Sequence, residues 1–134
     1  MFLLDTDTCI DVLRGVGSLR EKMEDLSPDD CNVSSVTVFE LYSGIYFTRQ
    51  PERGGVKVDR FLSVLNIVAF DRAAATEAAN LRHDLDSSGT RIGPYDLLIA
   101  AQAISSNYTL VTANVREFGR IKSLKLENWR ARQR

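Results

Sequence analysis

The chain has 134 residues, of which 44% are hydrophobic and 26% charged, a composition typical of one globular domain with its own core. No apolar run approaches the roughly 20 residues of a membrane span, and the opening "MFLL" reaches Asp5 too soon for a signal peptide. We therefore expect a cytosolic protein. Two cysteines and a single histidine, His83, are too few for a structural zinc site and exclude any mechanism that needs two histidines.

The net charge of −1 hides an uneven distribution along the chain. From Arg116 to Arg134 there are seven basic and two acidic residues, whereas the rest of the chain has ten basic and sixteen acidic residues. The basic tail that starts at about residue 130 is either a solvated chain end or a flank that attracts polyanions, and the sequence leaves both readings open.

Strand-like and helix-like segments alternate along the chain. The predicted strands are "MFLL", "CNVSSV", "NIVAF", "YTLVT" and "SLKLENW". The predicted helices are "TDTCIDVLRG", "VGSLREKMEDL", "SVTVFELYSGIYFTR", "VKVDRFLSVL", "RAAATEAANLRHDLDSS" and "IGPYDLLIAAQA". We expect a turn at "SPDD", a break at "QPERGG", and a turn or short helix at "ANVREFG". The alternation predicts one α/β domain over residues 1–134, with a short, mostly parallel sheet covered by helices on both faces.

Acidic residues lie at several of the predicted element ends. Asp5 ends the first strand and Asp71 follows the third, so each can cap the helix after it, and for Asp71 we favour the cap. Asp96 falls near the third position of a helix that starts with Gly93 as N-cap and Pro94 as first residue. An acid at that position complements the helix dipole.

Three of the acids, Asp5, Glu40 and Asp96, lie on elements that can meet at one edge of the sheet. Ligands of open α/β sheets bind at the carboxyl ends of the strands, and Thr112 and Asn114 follow the fourth strand at that same edge. Gathered carboxylates repel each other unless a cation lies between them, and oxygen ligands suit Mg²⁺ or Mn²⁺. The sequence therefore predicts a divalent-cation site.

Four segments resemble, in the same order, those of the PIN-domain nucleases: "LLDTDTCI", "SSVTVFELYSG", "IGPYDLLIAAQA" and "LVTANVREFGRIKSLKLENW". They are most similar to the VapC-type toxins of bacterial toxin–antitoxin pairs. The resemblance implies a PIN-like fold and assigns the family's three core acids to Asp5, Glu40 and Asp96. Its fourth position corresponds to Asn114, where many members have Asp.

The resemblance further implies separate roles for the residues of the site. Asp5 and Asp96 would bind Mg²⁺ or Mn²⁺, with Glu40 and Asn114 contributing through water. The residues expected to support them are Thr6, Asp7, Thr112 and Glu117, and the residues expected to hold RNA are Arg116 and Arg120. Asp7 stands where the family usually has Asn.

The activity that the resemblance implies is that of a metal-dependent endoribonuclease, often directed at the anticodon loop of tRNA. In this chemistry a metal-activated water attacks the phosphodiester in line, which leaves 5′-phosphate and 3′-hydroxyl ends. The resemblance also implies a homodimer and a cognate antitoxin of the VapB type that blocks the site.

Two other functions stay open at this point. "LLDTDTCI" also resembles the first motif of the haloacid-dehalogenase-like phosphatases, in which Asp5 would be the nucleophile and Asp7 the acid/base. The later lysine and the paired acidic motif of that family are missing, and a receiver domain likewise lacks its lysine after "TLVT". The remaining alternative is a non-catalytic PIN-like binding module, against which the three acids argue.

The helix that carries Glu40 has two further features. Gly44 shares a helical face with Glu40 and costs the helix about 1 kcal/mol relative to alanine, so we expect either close packing or a partner there. Tyr46 and Phe47 follow in "LYSGIYF", where apolar side chains lie on more than one side of the helix. They either face the protein's own core or line a groove for an antitoxin helix.

Overall fold

The computed structural model describes residues 1–130, which form one five-stranded sheet. Its strands are β1 (Phe2–Leu4), β2 (Cys31–Ser34), β3 (Asn66–Val68), β4 (Thr109–Val111) and β5 (Lys125–Glu127). They lie in the order β3-β2-β1-β4-β5, and all four neighbouring pairs are parallel. The prediction of a parallel sheet is confirmed, and β1 is its central strand. Most of the predicted basic tail, from residue 131 onward, lies outside the described residues.

Seven α-helices accompany these strands in the described residues. They are α1 (Thr6–Leu13), α2 (Leu19–Glu24), α3 (Ser35–Ile45), α4 (Pro51–Ser63), α5 (Arg72–Ser87), α6 (Pro94–Ser105) and α7 (Val115–Phe118). A single turn of 3-10 helix, Pro28–Asp30, occupies the segment "SPDD". Within residues 1–130, no helix is long and apolar enough to cross a membrane.

The predicted break between the two helices is present but lies earlier than "QPERGG", because α3 ends at Ile45 and α4 already begins at Pro51, a position where proline loses no helical hydrogen bond. Gly54 and Gly55 lie inside α4 and face Ile45 of α3. A Cβ atom added to Gly54 would lie 3.2 Å from Cγ2 of Ile45, and one added to Gly55 would lie 3.5 Å from its Cδ1. The two glycines therefore let α4 approach α3 closely, which offsets their low helix propensity.

Helices cover both faces of the sheet, as predicted. Successive residues of β1 point to opposite faces, so Leu3 packs in a core with α5 and α6, whereas Leu4 packs in a second core with α1, α2 and α4. Leu110 and Val111 of β4 are divided between the two cores in the same way. Burying side chains of this size contributes about 1.5–3 kcal/mol each, so the two central strands are fixed from both sides.

The helix α6 is buried from Ile99 to Ala103. Gln102 is a polar residue within this segment, and its Nε2 donates to the carbonyl oxygens of Val68, at 3.3 Å, and Ala69, at 2.8 Å. These bonds attach the end of β3 to α6. The first turn of α6, in contrast, reaches the edge of the sheet where the candidate site lies.

Candidate active site at the carboxyl end of the sheet

Asp5 follows the central strand and is almost completely buried, with 2% of its surface exposed. Its backbone N–H donates to the carbonyl oxygen of Val111, at 3.0 Å, and its Oδ1 accepts from the backbone N–H of Thr8, at 2.8 Å, so that Asp5 caps α1. Burial raises the pKa of Asp5 above its ordinary value, although hydrogen bonds from Thr112 and Thr8 to the carboxylate oppose the shift. Desolvation therefore outweighs the hydrogen bonds at this position.

Asp96 lies in the first turn of α6, after Gly93 as N-cap and Pro94 as first residue, as the sequence predicts. Partial burial and the negative charges around it raise its pKa from 3.8 to about 6. After burial, the contributing acids are, in decreasing order, Asp5, Glu117, Asp7 and Glu40. The helix dipole alone would lower the pKa of an acid at this position, so the raised value indicates a cluster of acids around Asp96.

Glu40 is held at this edge by a hydroxyl group from another helix. Oγ1 of Thr6 donates to Oε1 of Glu40, at 2.6 Å, and the same Oγ1 lies 3.0 Å from Oγ1 of Thr37. Because Thr6 follows Asp5 directly, this contact brings the carboxylate of α3 to the end of β1. Thr37 is not among the predicted site residues, although its position one helical turn before Glu40 is a signal that the sequence offers.

The segment after β4 completes the edge. Thr112 is buried, and its Oγ1 accepts a hydrogen bond from the backbone N–H of Asn114, at 3.0 Å. Asn114 precedes α7 and is exposed, and its side chain makes no capping bond to that helix. Glu117 of α7 lies close enough to Asp96 to raise the pKa of that carboxyl group. The structure therefore brings the five predicted acids to one edge, and the Asn114 side chain makes no hydrogen bond among residues 1–130. The five are Asp5, Asp7, Glu40, Asp96 and Glu117.

The acids of this edge have no cationic partner among residues 1–130, where the single ion pair joins Arg130 to Asp11, at 3.6 Å. In the same range, no three His, Cys, Asp or Glu side chains are close enough together to enclose a metal ion alone. Carboxylate oxygens with room for water nevertheless fit Mg²⁺ or Mn²⁺, since Mg²⁺ binds through one or two carboxylates and keeps several waters. A cation there would relieve the repulsion that, after the larger effect of burial, raises the pKa of Asp96.

The two predicted RNA-binding arginines lie in and beside α7, and both are exposed. Arg120 Nη1 donates to the carbonyl oxygen of Arg91, at 3.1 Å, so part of its guanidinium group already holds a loop. Arg116 has no such bond within the described part of the chain. Neither arginine neutralises the acids, and a role of either in RNA binding stays a prediction.

The last turn of α3 and the two residues after it leave space at Gly44 and expose two aromatic side chains. A Cβ atom added to Gly44 would meet no atom within 4 Å, so the expectation of close packing within the chain at Gly44 is wrong, and the alternative of a partner remains. Tyr46 and Phe47 are 75% and 89% exposed, which excludes both from the core. The explanation that they face the protein's own core is therefore wrong, and a groove for an antitoxin helix stays a prediction.

The family of the chain follows from comparison with known proteins. A model of the PIN domain matches residues 2–124, a range that includes every residue of the acidic edge. The match extends over most of the chain, so the chain belongs to the PIN-domain family. The alternatives of a haloacid-dehalogenase-like phosphatase with Asp5 as nucleophile and of a receiver domain receive no support.

Comparison with similar proteins shows which group of the PIN-domain family the chain belongs to. The chain is 36% identical over 128 residues to the tRNA(fMet)-specific endonuclease VapC of Salmonella typhimurium, which covers 96% of this chain and 97% of that protein. It is 37% identical over 131 residues to ribonuclease VapC2 of Rickettsia felis, covering 96% and 98% of the two chains. Within the PIN family, the chain is thus a VapC-type protein.

Solved structures agree with this assignment. The structure of DNA-bound VapBC from Salmonella typhimurium superposes with a TM-score of 0.91 at 36% identity and covers 96% of this chain and 97% of that one. VapBC2 from Rickettsia felis, bound to a DNA fragment from their promoter, superposes with a TM-score of 0.90 at 36% identity and covers 96% and 98%. The prediction of a PIN-like fold is confirmed.

Proposed function

We propose that this VapC-type protein is a Mg²⁺- or Mn²⁺-dependent endoribonuclease toxin that cleaves tRNA in the region of the anticodon. Its relatives are named as ribonucleases and endonucleases, and as a member of their group it is a ribonuclease. The name of the Salmonella relative supports tRNA as the class of substrate. Metal dependence is supported above all by the gathering of carboxylates that have no cationic partner among residues 1–130, because a bound cation relieves the repulsion among them.

In this proposal the acidic edge holds the cation. Asp5 and Asp96 would bind it directly, and Glu40 and Asn114 would contact it through water. When bound, the cation supplies two effects, because it lowers the pKa of the attacking water and neutralises charge on the scissile phosphate. Water rather than the RNA 2′-hydroxyl group would form the new bond to phosphorus, and the 3′ oxygen would leave, so we expect products with 5′-phosphate and 3′-hydroxyl ends.

Hydrogen bonds hold the carboxylates in place for this task. The backbone N–H of Thr8 donates to Oδ1 of Asp5, the hydroxyl group of Thr112 also bonds to the Asp5 carboxylate, and the hydroxyl group of Thr6 donates to Oε1 of Glu40. Residues that orient metal ligands in this way commonly affect metal affinity or activity about 10- to 100-fold. Arginines of the C-terminal segment would hold the RNA backbone, and Arg116 is the freer of the two candidates because Arg120 already bonds to a loop carbonyl.

Asp96→Asn tests the proposal with almost no change in side-chain size. We expect cleavage of RNA in Mg²⁺ to fall by about 100-fold or more, because an amide is a poor ligand for a hard cation. The metal-free variant should be as stable as the parent or slightly more stable, because one of several repelling charges is removed. The measurements are end-mapping of RNA from expressing cells and a melting curve without metal. A variant that loses stability but cleaves at a near-normal rate would leave Asp96 as a helix-start residue only.

We also propose that the protein is inhibited by a VapB-type antitoxin, because the similar structures are of VapBC complexes. The homodimer that the resemblance implies stays a prediction. RNA as substrate and such an antitoxin as partner would place its action in the cytosol.

Phe47, which is 89% exposed, is our candidate contact for the antitoxin. Phe47→Ala should leave the melting temperature unchanged and weaken antitoxin binding about tenfold. Ile67→Ala, at a residue 51% exposed on the edge strand β3, is the control. A folded Phe47→Ala protein with full antitoxin affinity would remove this surface from consideration.

A further inference from the structure

We infer that Thr37 is a positioning residue of the active site, which acts on Glu40 through the hydroxyl group of Thr6. The inference rests on the proposed function, because it assumes that Glu40 takes part in metal-dependent cleavage. Thr37 and Glu40 lie one turn apart on α3, and Thr6 is the first residue of α1. The three side chains therefore join two helices at the carboxyl end of the central strand.

The direction of these hydrogen bonds follows from the number of available protons. Thr6 has one hydroxyl proton and donates it to Oε1 of Glu40, at 2.6 Å. Oγ1 of Thr6 also lies 3.0 Å from Oγ1 of Thr37, and with its own proton in use it can only accept there. Thr37 therefore donates to Thr6, which donates to Glu40. In such a series each donation polarises the next hydroxyl group and strengthens the following bond.

Burial restricts the series to one arrangement. Thr37 has no exposed surface and Thr6 is 7% exposed, so neither hydroxyl group can exchange its partner for bulk water. An unpaired buried hydroxyl group destabilises a protein by about 1–3 kcal/mol, which keeps the two threonines bonded to each other and to the carboxylate. Oε1 of Glu40 is thereby occupied, whereas Oε2 accepts no hydrogen bond from residues 1–130. One carboxylate oxygen is held and the other is left for the site.

Glu40 needs this restraint because of its neighbours. Its charge is one of those that raise the pKa of Asp96, so repulsion favours rotation of the partly exposed Glu40 side chain away from the acidic edge and into solvent. The bond from Thr6 opposes that rotation. Thr37 strengthens the bond by satisfying Thr6 as an acceptor, and it makes no contact of its own with the acidic edge in the hydrogen bonds of the described residues.

The test compares Thr37→Val, which keeps the shape of the side chain but has no hydroxyl group, with Thr37→Ser, which keeps the hydroxyl group. Both are prepared alone and together with Glu40→Gln. For each protein we measure the metal-free melting temperature, the Mn²⁺ dissociation constant by electron paramagnetic resonance, and kcat and KM for RNA cleavage. Thr6→Val, which removes the donor to Glu40 itself, gives a second break in the same series should Thr37→Val fold poorly.

We expect Thr37→Val to raise the Mn²⁺ dissociation constant and lower kcat by about tenfold each, with KM for RNA changed less than about twofold. Thr37→Ser should restore both quantities, and Thr6→Val should match or exceed the loss. In the Glu40→Gln background, Thr37→Val should leave Mn²⁺ affinity unchanged, because the two residues act in one path.

Two outcomes would overturn the inference while the proposed function stands. The first is equal Mn²⁺ affinity and kcat for Thr37→Val and Thr37→Ser. The second is an equal loss of Mn²⁺ affinity on Thr37→Val in the parent protein and in the Glu40→Gln background. A parent protein that neither binds Mn²⁺ nor cleaves RNA would instead overturn the proposed function, and the inference with it.

Discussion

Asp5 and Asp71 each follow a strand and begin a helix, but they differ in burial and in the place of that strand in the sheet. Each is the N-cap of a helix, because Oδ1 of Asp5 accepts from the backbone N–H of Thr8, at 2.8 Å, and Oδ1 of Asp71 accepts from that of Ala74, at 3.0 Å. The cap predicted for Asp71 is thus confirmed. Asp5, however, follows the central strand β1 and is buried, whereas Asp71 follows the edge strand β3 and is exposed.

The difference separates the requirements of a cap from those of a cation site. A cap needs one oxygen that accepts a hydrogen bond, and asparagine provides that about as well as aspartate. A cation site needs negative charge near other oxygen ligands, and at Asp5, unlike at Asp71, other acids lie close by. Substitution of aspartate by asparagine should therefore keep the helix cap at both Asp5 and Asp71. It should remove cation binding at Asp5 only.

The largest expected effect is on RNA cleavage. Asp5→Asn should lower the cleavage rate in Mg²⁺ by at least about 100-fold, because the charge that would bind the cation is lost while the cap is kept. Asp71→Asn should cleave at the parent rate. The two variants are compared in one assay with the same purified RNA. Equal rates for the two would mean that Asp5 is no more than a cap.

The next effect is on stabilisation by metal. Mg²⁺ or Mn²⁺ at 100 times its dissociation constant should stabilise the parent and Asp71→Asn by about 2.7 kcal/mol, and EDTA should reverse this. Asp5→Asn should show little of this gain. Melting curves of protein shown beforehand to be metal-free check the expectation. An unmoved melting temperature for the parent at millimolar metal would argue strongly against a metal site.

A smaller effect concerns pH. The folded protein raises the pKa of Asp96 from 3.8 to about 6, so between these values the folded state keeps a proton that the unfolded state has lost. Stability of the metal-free protein should therefore fall as pH rises from about 4 to about 6, by about 1–2 kcal/mol after screening by solvent. Asp96→Asn should give a flatter profile than the parent, and Asp71→Asn should follow the parent. Denaturant unfolding at several pH values measures this, and parallel profiles for all three would contradict it.

The smallest effect belongs to the cap alone. Asp71→Ala removes the acceptor for the backbone N–H of Ala74 and should destabilise the protein by about 1 kcal/mol, whereas Asp71→Asn should be nearly neutral. Neither should alter cleavage. Chemical denaturation resolves the two, and a change in cleavage by Asp71→Ala would show that the edge strand communicates with the site.

The sequence alone predicts the sheet, its parallel strands and the meeting of three acids. These features follow from local rules, since apolar strands alternate with helices and strand ends carry polar residues, and from ordered motifs that resemble a family. Asp5 and Asp96 are identifiable because an acid at the end of a strand or the start of a helix is conspicuous. How strongly the acids affect one another is a property of their distances, which the sequence does not contain.

The errors have a common physical origin. "QPERGG" contains three residues that disfavour helices in isolation, yet Gly54 and Gly55 lie in α4 because α3 packs closely against them. Thr37 lies among apolar neighbours and resembles any buried β-branched residue, because its hydrogen-bond partner Thr6 is 31 positions away. Gly44 is the converse case, in which an expected close contact within the chain is open space. At all three positions, the presence or absence of a tertiary contact decides the outcome, and the local sequence does not contain it.

The central place of β1 in the sheet also affects how this protein folds during its synthesis on the ribosome. Residues 2–4 leave the ribosome about a hundred residues before β4, which consists of residues 109–111 and is one of the two strands that flank them. Pairing between parallel strands so distant in sequence forms late, after a long loop has closed. The bond from the backbone N–H of Asp5 to Val111 belongs to this late step. Synthesis must therefore pass residue 111 before Asp5 takes its final place, so the site that we propose stays unassembled in a shorter nascent chain.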